Sequence, residues 1–124
     1  MRMEGLRDRT KEFSLRIIRL YTALPKTTEA QVIGKQMLRS GTSVAANFRE
    51  ASRARSTAEF VAKLGIVEQE LDETMLWLEL IVETEIMRRE LVESLHGEAE
   101  ELLKIVITSI RKSRSRGRKS DNSL

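Results

Sequence analysis

The chain contains no cysteine, which excludes disulfides and thiol catalysis and fits a reducing, cytoplasmic setting. It has one histidine, His96, so no second imidazole exists for Ser/His chemistry or for a His-rich metal site. Glu93 and His96 do stand in the Glu-x-x-His spacing of di-iron bundles. Such a centre needs two of these motifs and further carboxylates, so a solvated histidine on a charged helix is expected instead. No Gly-rich phosphate loop is present. An enzyme, a bound cofactor and a metal are therefore not expected. The chain also has no run approaching the ~18 apolar residues of a membrane span. Its first residues, MRMEGLRDRTKEF, lack the apolar stretch of a secretion signal, and no membrane partner is expected. Proline occurs once, glycine six times, and aromatics make up 4% of the residues. With so few turn formers and so much Glu, Leu, Arg, Ala, Ile and Val, the composition is that of an all-α domain.

What is present is charge in blocks. Residues 1–58 sum to +7, residues 59–101 to −10 and residues 102–124 to +6, for a net +3. The basic and acidic blocks either pair across helices or subunits, or leave a basic surface for a polyanion.

Four helices follow from the apolar period. The first carries Leu6, Phe13, Ile17, Leu20 and Leu24 and stops before Pro25. The second opens at TEAQ, with Thr28 as cap and Gln31 reciprocating, and carries Ile33, Met37, Val44, Phe48 and Ala51. SGTS at 40–43 interrupts this stripe. One long helix kinked at Gly41 is expected, a fresh start capped by Thr42 or Ser43 being the alternative. The third opens at STAE, where Ser56 and Glu59 form a capping box, and carries Phe60, Leu64, Val67, Leu71, Met75, Leu78 and Val82 over ~28 residues, roughly 40 Å. The fourth carries Leu91, Leu95, Leu102, Val106 and Ile110 after a short turn near 85–89. Short connections predict an antiparallel up-down-up-down four-helix bundle over residues 1–112. A basic tail over 113–124, without core-forming residues, is expected to be disordered when free. Further apolar residues (Ile66, Trp77, Leu80, Leu103 and Ile107) broaden the third and fourth helices beyond what a lone bundle buries, which predicts a homo-oligomer with these positions at its interface.

Three constellations remain. Glu68, Glu70, Asp72, Glu73 and Glu79 form an acidic band, either solvated or a dock for basic helices of a neighbouring subunit. Arg39, Arg49, Arg53 and Arg55 lie along the second helix and its exit. Arg111, Lys112, Arg114, Arg116, Arg118 and Lys119 fill the tail, with no aromatic among them for base stacking. These ten cations are the candidate contacts for RNA or DNA. Ser43, Asn47 and Glu50 share one helix face beside the core stripe. They are expected to form a polar network that sets helix register, a partner contact being the alternative.

Leu24-Pro25, then Ser43, Ala46, Asn47, Glu50, Arg55, Ser56 and Phe60 in that order and spacing, resemble the four-helix-bundle family named for proteins encoded in bacterial large-subunit rRNA intervening sequences. The accessory variability determinant of diversity-generating retroelements shares that fold family. The pattern departs at Ala45, where members usually carry proline, and at Ala51, where they usually carry glycine. The resemblance covers roughly residues 6 to 112 and implies a homopentameric barrel with a basic surface and no enzymatic activity. For the retroelement members it further implies binding of a reverse transcriptase and nucleic acid. The reading is a non-catalytic nucleic-acid-binding accessory protein. Its rival is a homo-oligomeric protein–protein scaffold in which the charge blocks satisfy one another.

Overall fold

A computed structural model describes residues 3–122, with side chains from residue 5 to residue 117. Four α-helices account for nearly all of it: α1 (Met3–Ala23), α2 (Thr28–Ser52), α3 (Thr57–Glu83) and α4 (Glu93–Asn122). A single turn of 3-10 helix, Arg89–Leu91, precedes α4, and no strand occurs among the described residues. None of these helices is long and apolar enough to cross a membrane.

Local chemistry sets the helix ends. Pro25 stands just past the end of α1, after Leu24. The cap of α2 is Thr27, not the expected Thr28: its hydroxyl accepts from the Ala30 N–H at 3.4 Å. Gln31 turns away from a capping box to donate to the Pro25 carbonyl and meet the Tyr21 hydroxyl. Ser56 caps α3 as expected, accepting from the Glu59 N–H at 3.1 Å, while the Glu59 carboxylate reaches one residue farther back, to the Arg55 N–H at 3.2 Å.

The exit of α3 is a Schellman motif. Ile86 N–H bonds to Ile81 O and Glu85 N–H to Val82 O, both at 3.0 Å, with Ile86 packed against the core. Glu85 takes the left-handed position with φ 61°, where a side chain is costly and glycine is favoured. Glu85→Gly is expected to stabilise the fold by about 0.5–1 kcal/mol, read as a higher urea midpoint at unchanged slope.

One core joins the four helices. The α1 stripe is buried as expected. In α2, Met37, Val44, Phe48 and Ala51 are buried, but Ile33 is only half-buried, because Ala30 and Gly34 hold the core-facing positions around it. In α3, Leu64, Val67, Leu71, Leu78 and Ile81 form the core edge, while Phe60, Met75 and Val82 are half-buried. The expected start of the α4 stripe, Leu91, sits in the 3-10 turn and is 56% exposed. Val92 takes its place, and Ala99 fills the gap between Leu95 and Leu102.

SGTS does not interrupt α2, which runs through it as one helix. Each residue meets a need of packing. Ser40 and Thr74 of α3 share a buried hydroxyl–hydroxyl bond of 2.8 Å, and Thr74 donates onward to Glu70 O. Gly41 lies against Ile17 of α1, and its carbonyl accepts from the buried Ser14 hydroxyl at 2.8 Å. Thr42 and Ser43 return their hydroxyls to the carbonyls of Leu38 and Arg39.

At the other end of the chain, α4 passes its last core residue, Ile110, and continues to Asn122. The segment 113–122, expected without regular structure, is thus helical. Its arginines and Lys119 are good helix formers. Residues 123–124 of the expected tail lie outside the described residues.

Candidate nucleic-acid interface

Where α2 hands over to α3, the later turns of α4 pass close by. Phe60, in the first turn of α3, is half-buried and packs on the core with part of its ring outward. It lines two adjoining cavities. One, of about 370 Å³, lies between Phe60 and the α4 face made by Lys104, Ile105, Thr108, Ser109, Lys112, Ser113 and Arg116. The other, of about 410 Å³, lies between the turn residues Ala54, Arg55, Ser56 and Thr57 and the same Ser113 and Arg116. The steps of four from Lys104 through Thr108 and Lys112 to Arg116 place these residues on one helix face. Four cations, Arg55, Lys104, Lys112 and Arg116, therefore border a groove whose lining includes no carboxylate. Glu59 stands beside the turn, its carboxylate accepting from the Arg55 N–H at 3.2 Å.

The other expected cations are placed differently. Arg39 lies in the acidic band and donates to Glu73 at 2.7 Å and Glu70 at 3.3 Å on α3. Arg49 and Arg53 are exposed at the end of α2, and Arg111 and Arg114 are exposed on α4 outside both cavities. The side chains of Arg118 and Lys119 lie outside the described residues.

Glu70 makes the acidic band sensitive to pH. Burial raises its carboxyl above the ordinary range, Arg39 draws it back down, and Glu73 pushes it up again. With a raised value, the folded chain holds a proton that the unfolded chain releases. The resulting stability is fully present below the ordinary carboxylate range and is lost as pH rises through the raised value. Glu70→Gln is expected to flatten that part of the stability–pH curve and to leave the fold at least as stable at neutral pH. Urea titrations across the acid range check this. A less stable variant at neutral pH would mean that the Arg39 pair outweighs burial.

The expected polar network is not a network. Ser43 donates to Arg39 O at 2.8 Å and Asn47 to Ser43 O at 2.9 Å, each one turn back along its own helix. Glu50 is exposed and accepts from Lys63 of α3 at 3.2 Å, linking neither to Ser43 nor to Asn47. Half-exposed side chains find nearby carbonyls without needing one another.

Residues 6–108 match the model of the 23S rRNA-intervening sequence protein family. The chain belongs to that family. It is also similar to a solved protein of unknown function from the S23 ribosomal protein family of Bacteroides thetaiotaomicron, at 42% identity and a TM-score of 0.83, over 90% of this chain and 99% of that one. A comparison with curated proteins gives no match.

In this family member the five apolar residues expected at a subunit interface lie on α3 and α4. Ile66 and Leu80 are fourteen residues apart, about four helical turns along the outer side of α3. Trp77 continues the edge that carries Lys63, Glu70 and Thr74 toward α2, packs against the core, and buries an indole N–H that has no acceptor. Leu103 and Ile107 are half-buried on α4. Exposed Leu76, Leu15 and Ile18 escaped the sequence reading, because isolated apolar residues outside the stripe carry no periodic signal.

Lys104 and Phe60 were missed as site residues for a similar reason. Lys104 interrupts an apolar segment and Phe60 belongs to the core stripe. The available signal was the step of four that links Lys104 to Lys112 and Arg116. His96 meets Glu79 of α3 at 2.8 Å. Among the described residues no group of three or more His, Cys, Asp or Glu is placed to hold a metal ion.

Proposed function

We propose that this family member is a non-catalytic, homo-oligomeric nucleic-acid-binding accessory protein of the cytoplasm, built as an antiparallel up-down-up-down bundle. One observation carries the binding role: Arg55, Lys104, Lys112 and Arg116 come from separate parts of the chain to border a groove free of carboxylates. Phosphate contacts of this kind supply most of the affinity of sequence-independent binding. The topology is supported by the pairs that meet across helices. Ser14 meets Gly41 and Tyr21 meets Gln31; Arg39 meets Glu73 and Glu50 meets Lys63; Arg9 meets Glu98 and Arg16 meets Ser94. In each pair of helices, rising numbers on one meet falling numbers on the other.

Self-association is supported by Ile66, Leu76, Leu15 and Ile18, which are exposed on two helices. A pentamer, and a reverse transcriptase as protein partner, rest on the family resemblance. The second reading, a scaffold without nucleic acid, is favoured by the same apolar residues and by the Arg39 pairs with the acidic band.

The test is an anisotropy titration of a labelled structured RNA with the full-length protein at several salt concentrations, alongside light scattering for subunit number. Four phosphate contacts predict a slope of log affinity against log salt of roughly −3 to −4, with the oligomer intact across the series. Absence of binding at low salt would leave the scaffold as the function.

A further inference from the structure

We infer that the groove over Phe60 takes an unpaired stretch of RNA or single-stranded DNA, with one base laid on the Phe60 ring and the flanking phosphates on the cations at either side. The inference rests on the nucleic-acid reading and narrows it to the strandedness of the ligand. Phe60 is the sole aromatic in the lining of either cavity and is common to both. Of the other aromatics, Phe13 and Phe48 are fully buried, Tyr21 is bonded to Gln31, and Trp77 lies on the α2 side of α3. The molecule thus sets one partly open ring among four cations.

The arrangement around the ring is two-sided. Arg55 approaches from the turn, Lys104 and Lys112 from α4, and Arg116 borders both cavities. Single-strand sites are built this way, with a cationic track for the backbone and an aromatic face for a base. Cavities of about 370 and 410 Å³ suit a group the size of one nucleotide each, at the small end of ligand sites. In a duplex the base faces are covered by their neighbours, and none is free to lie on the ring. A duplex would meet the cations at the rim and leave Phe60 unused.

The experiment measures the anisotropy of a labelled unstructured RNA and of a duplex of equal length, each with the full chain across a salt series. Phe60→Leu keeps the apolar bulk against the core, Phe60→Tyr keeps the ring, and Arg55→Gln/Lys112→Gln/Arg116→Gln removes three cations. Thermal melts confirm that each variant is folded. The single strand is expected to bind more tightly than the duplex. Phe60→Leu should weaken single-strand binding roughly 5- to 150-fold at an unchanged salt slope. Phe60→Tyr should bind close to wild type. The triple variant should lower the magnitude of the slope by about 2.

If Phe60→Leu binds the single strand as wild type does while the triple variant weakens it, stacking is overturned and the nucleic-acid reading survives. Equal affinity for duplex and single strand overturns the strandedness in the same way. If wild type binds neither at low salt, both readings fall together.

Discussion

Gly41→Ala is expected to destabilise the fold by about 2 kcal/mol, although alanine is the better helix former. A methyl group at Gly41 would lie 2.6 Å from Ile17 Cγ2, 2.7 Å from Ile17 Cγ1 and 3.1 Å from Ile17 Cβ. Isoleucine is branched at Cβ and has one strongly preferred rotamer in a helix, so it cannot turn aside. Either α1 and α2 separate or the side chain strains. Overpacking of this kind costs about 1–3 kcal/mol, and the gain of ~1 kcal/mol in helix propensity offsets part of a cost at or above the top of that range. Separation would also stretch the buried bond from Ser14 to Gly41 O.

Two controls isolate the mechanism. At Gly34 the nearest atom, at 2.6 Å, is Leu24 Cδ1, the end of a side chain able to rotate, so Gly34→Ala should cost less. In an Ile17→Ala background the closest contacts of Gly41→Ala are gone, so the two substitutions should couple strongly. Urea midpoints at one fixed protein concentration measure these effects, since self-association would make stability depend on concentration. If Gly41→Ala is as stable as wild type, the close approach of α1 and α2 is wrong.

The second large effect is expected at the seam between α1 and α4. Arg9 grips Glu98 through two parallel bonds, Nε to Oε2 at 2.7 Å and Nη2 to Oε1 at 2.9 Å. The two side chains are 26% and 21% exposed. This places the pair between exposed bridges, worth up to about 1 kcal/mol, and buried ones, whose breakage costs about 3–5 kcal/mol. Glu98→Ala is expected to cost about 1.5–2 kcal/mol, and a double-mutant cycle with Arg9→Ala to show a coupling of about 1 kcal/mol.

The effect matters because α1 and α4 meet less extensively than the other neighbouring helices do. The bond to Glu98 is also the first cause that holds the Arg9 guanidinium's pKa above its ordinary value, against the opposing effect of burial. On the arginine side, the stabilisation is therefore fully present below the ordinary arginine value and is lost only as pH rises through the raised one, far into the alkaline range. Additive single substitutions would show that the two groups act independently.

Helix number and most of the core were legible in the sequence, because burial on one side of a helix imposes a period that a linear reading detects. Leu6, Phe13, Ile17, Leu20 and Leu24 illustrate this on α1. The reading erred where a non-periodic cause took over. Leu91 kept the step of four but fell in a 3-10 turn, where that step no longer tracks one face. The single long helix expected through SGTS is present as α2, where glycine and serine are the small residues that let α1 and α3 come close. Composition alone does not separate a break from a close contact.

By itself, the sequence determined the all-α class, the starts of α2, α3 and α4 and the stop of α1 to within a residue or two, and the block pattern of charge. These are local properties, decided by neighbours along the chain. Only the tertiary structure decided which charges are opposed. Arg39 and Arg55 read alike in the sequence, but packing sets Arg39 against Glu70 and Glu73 and sets Arg55 across a groove from Arg116. The physical reason is that electrostatic interaction depends on distance in space and on the burial of the path between charges. Neither quantity is written along the chain.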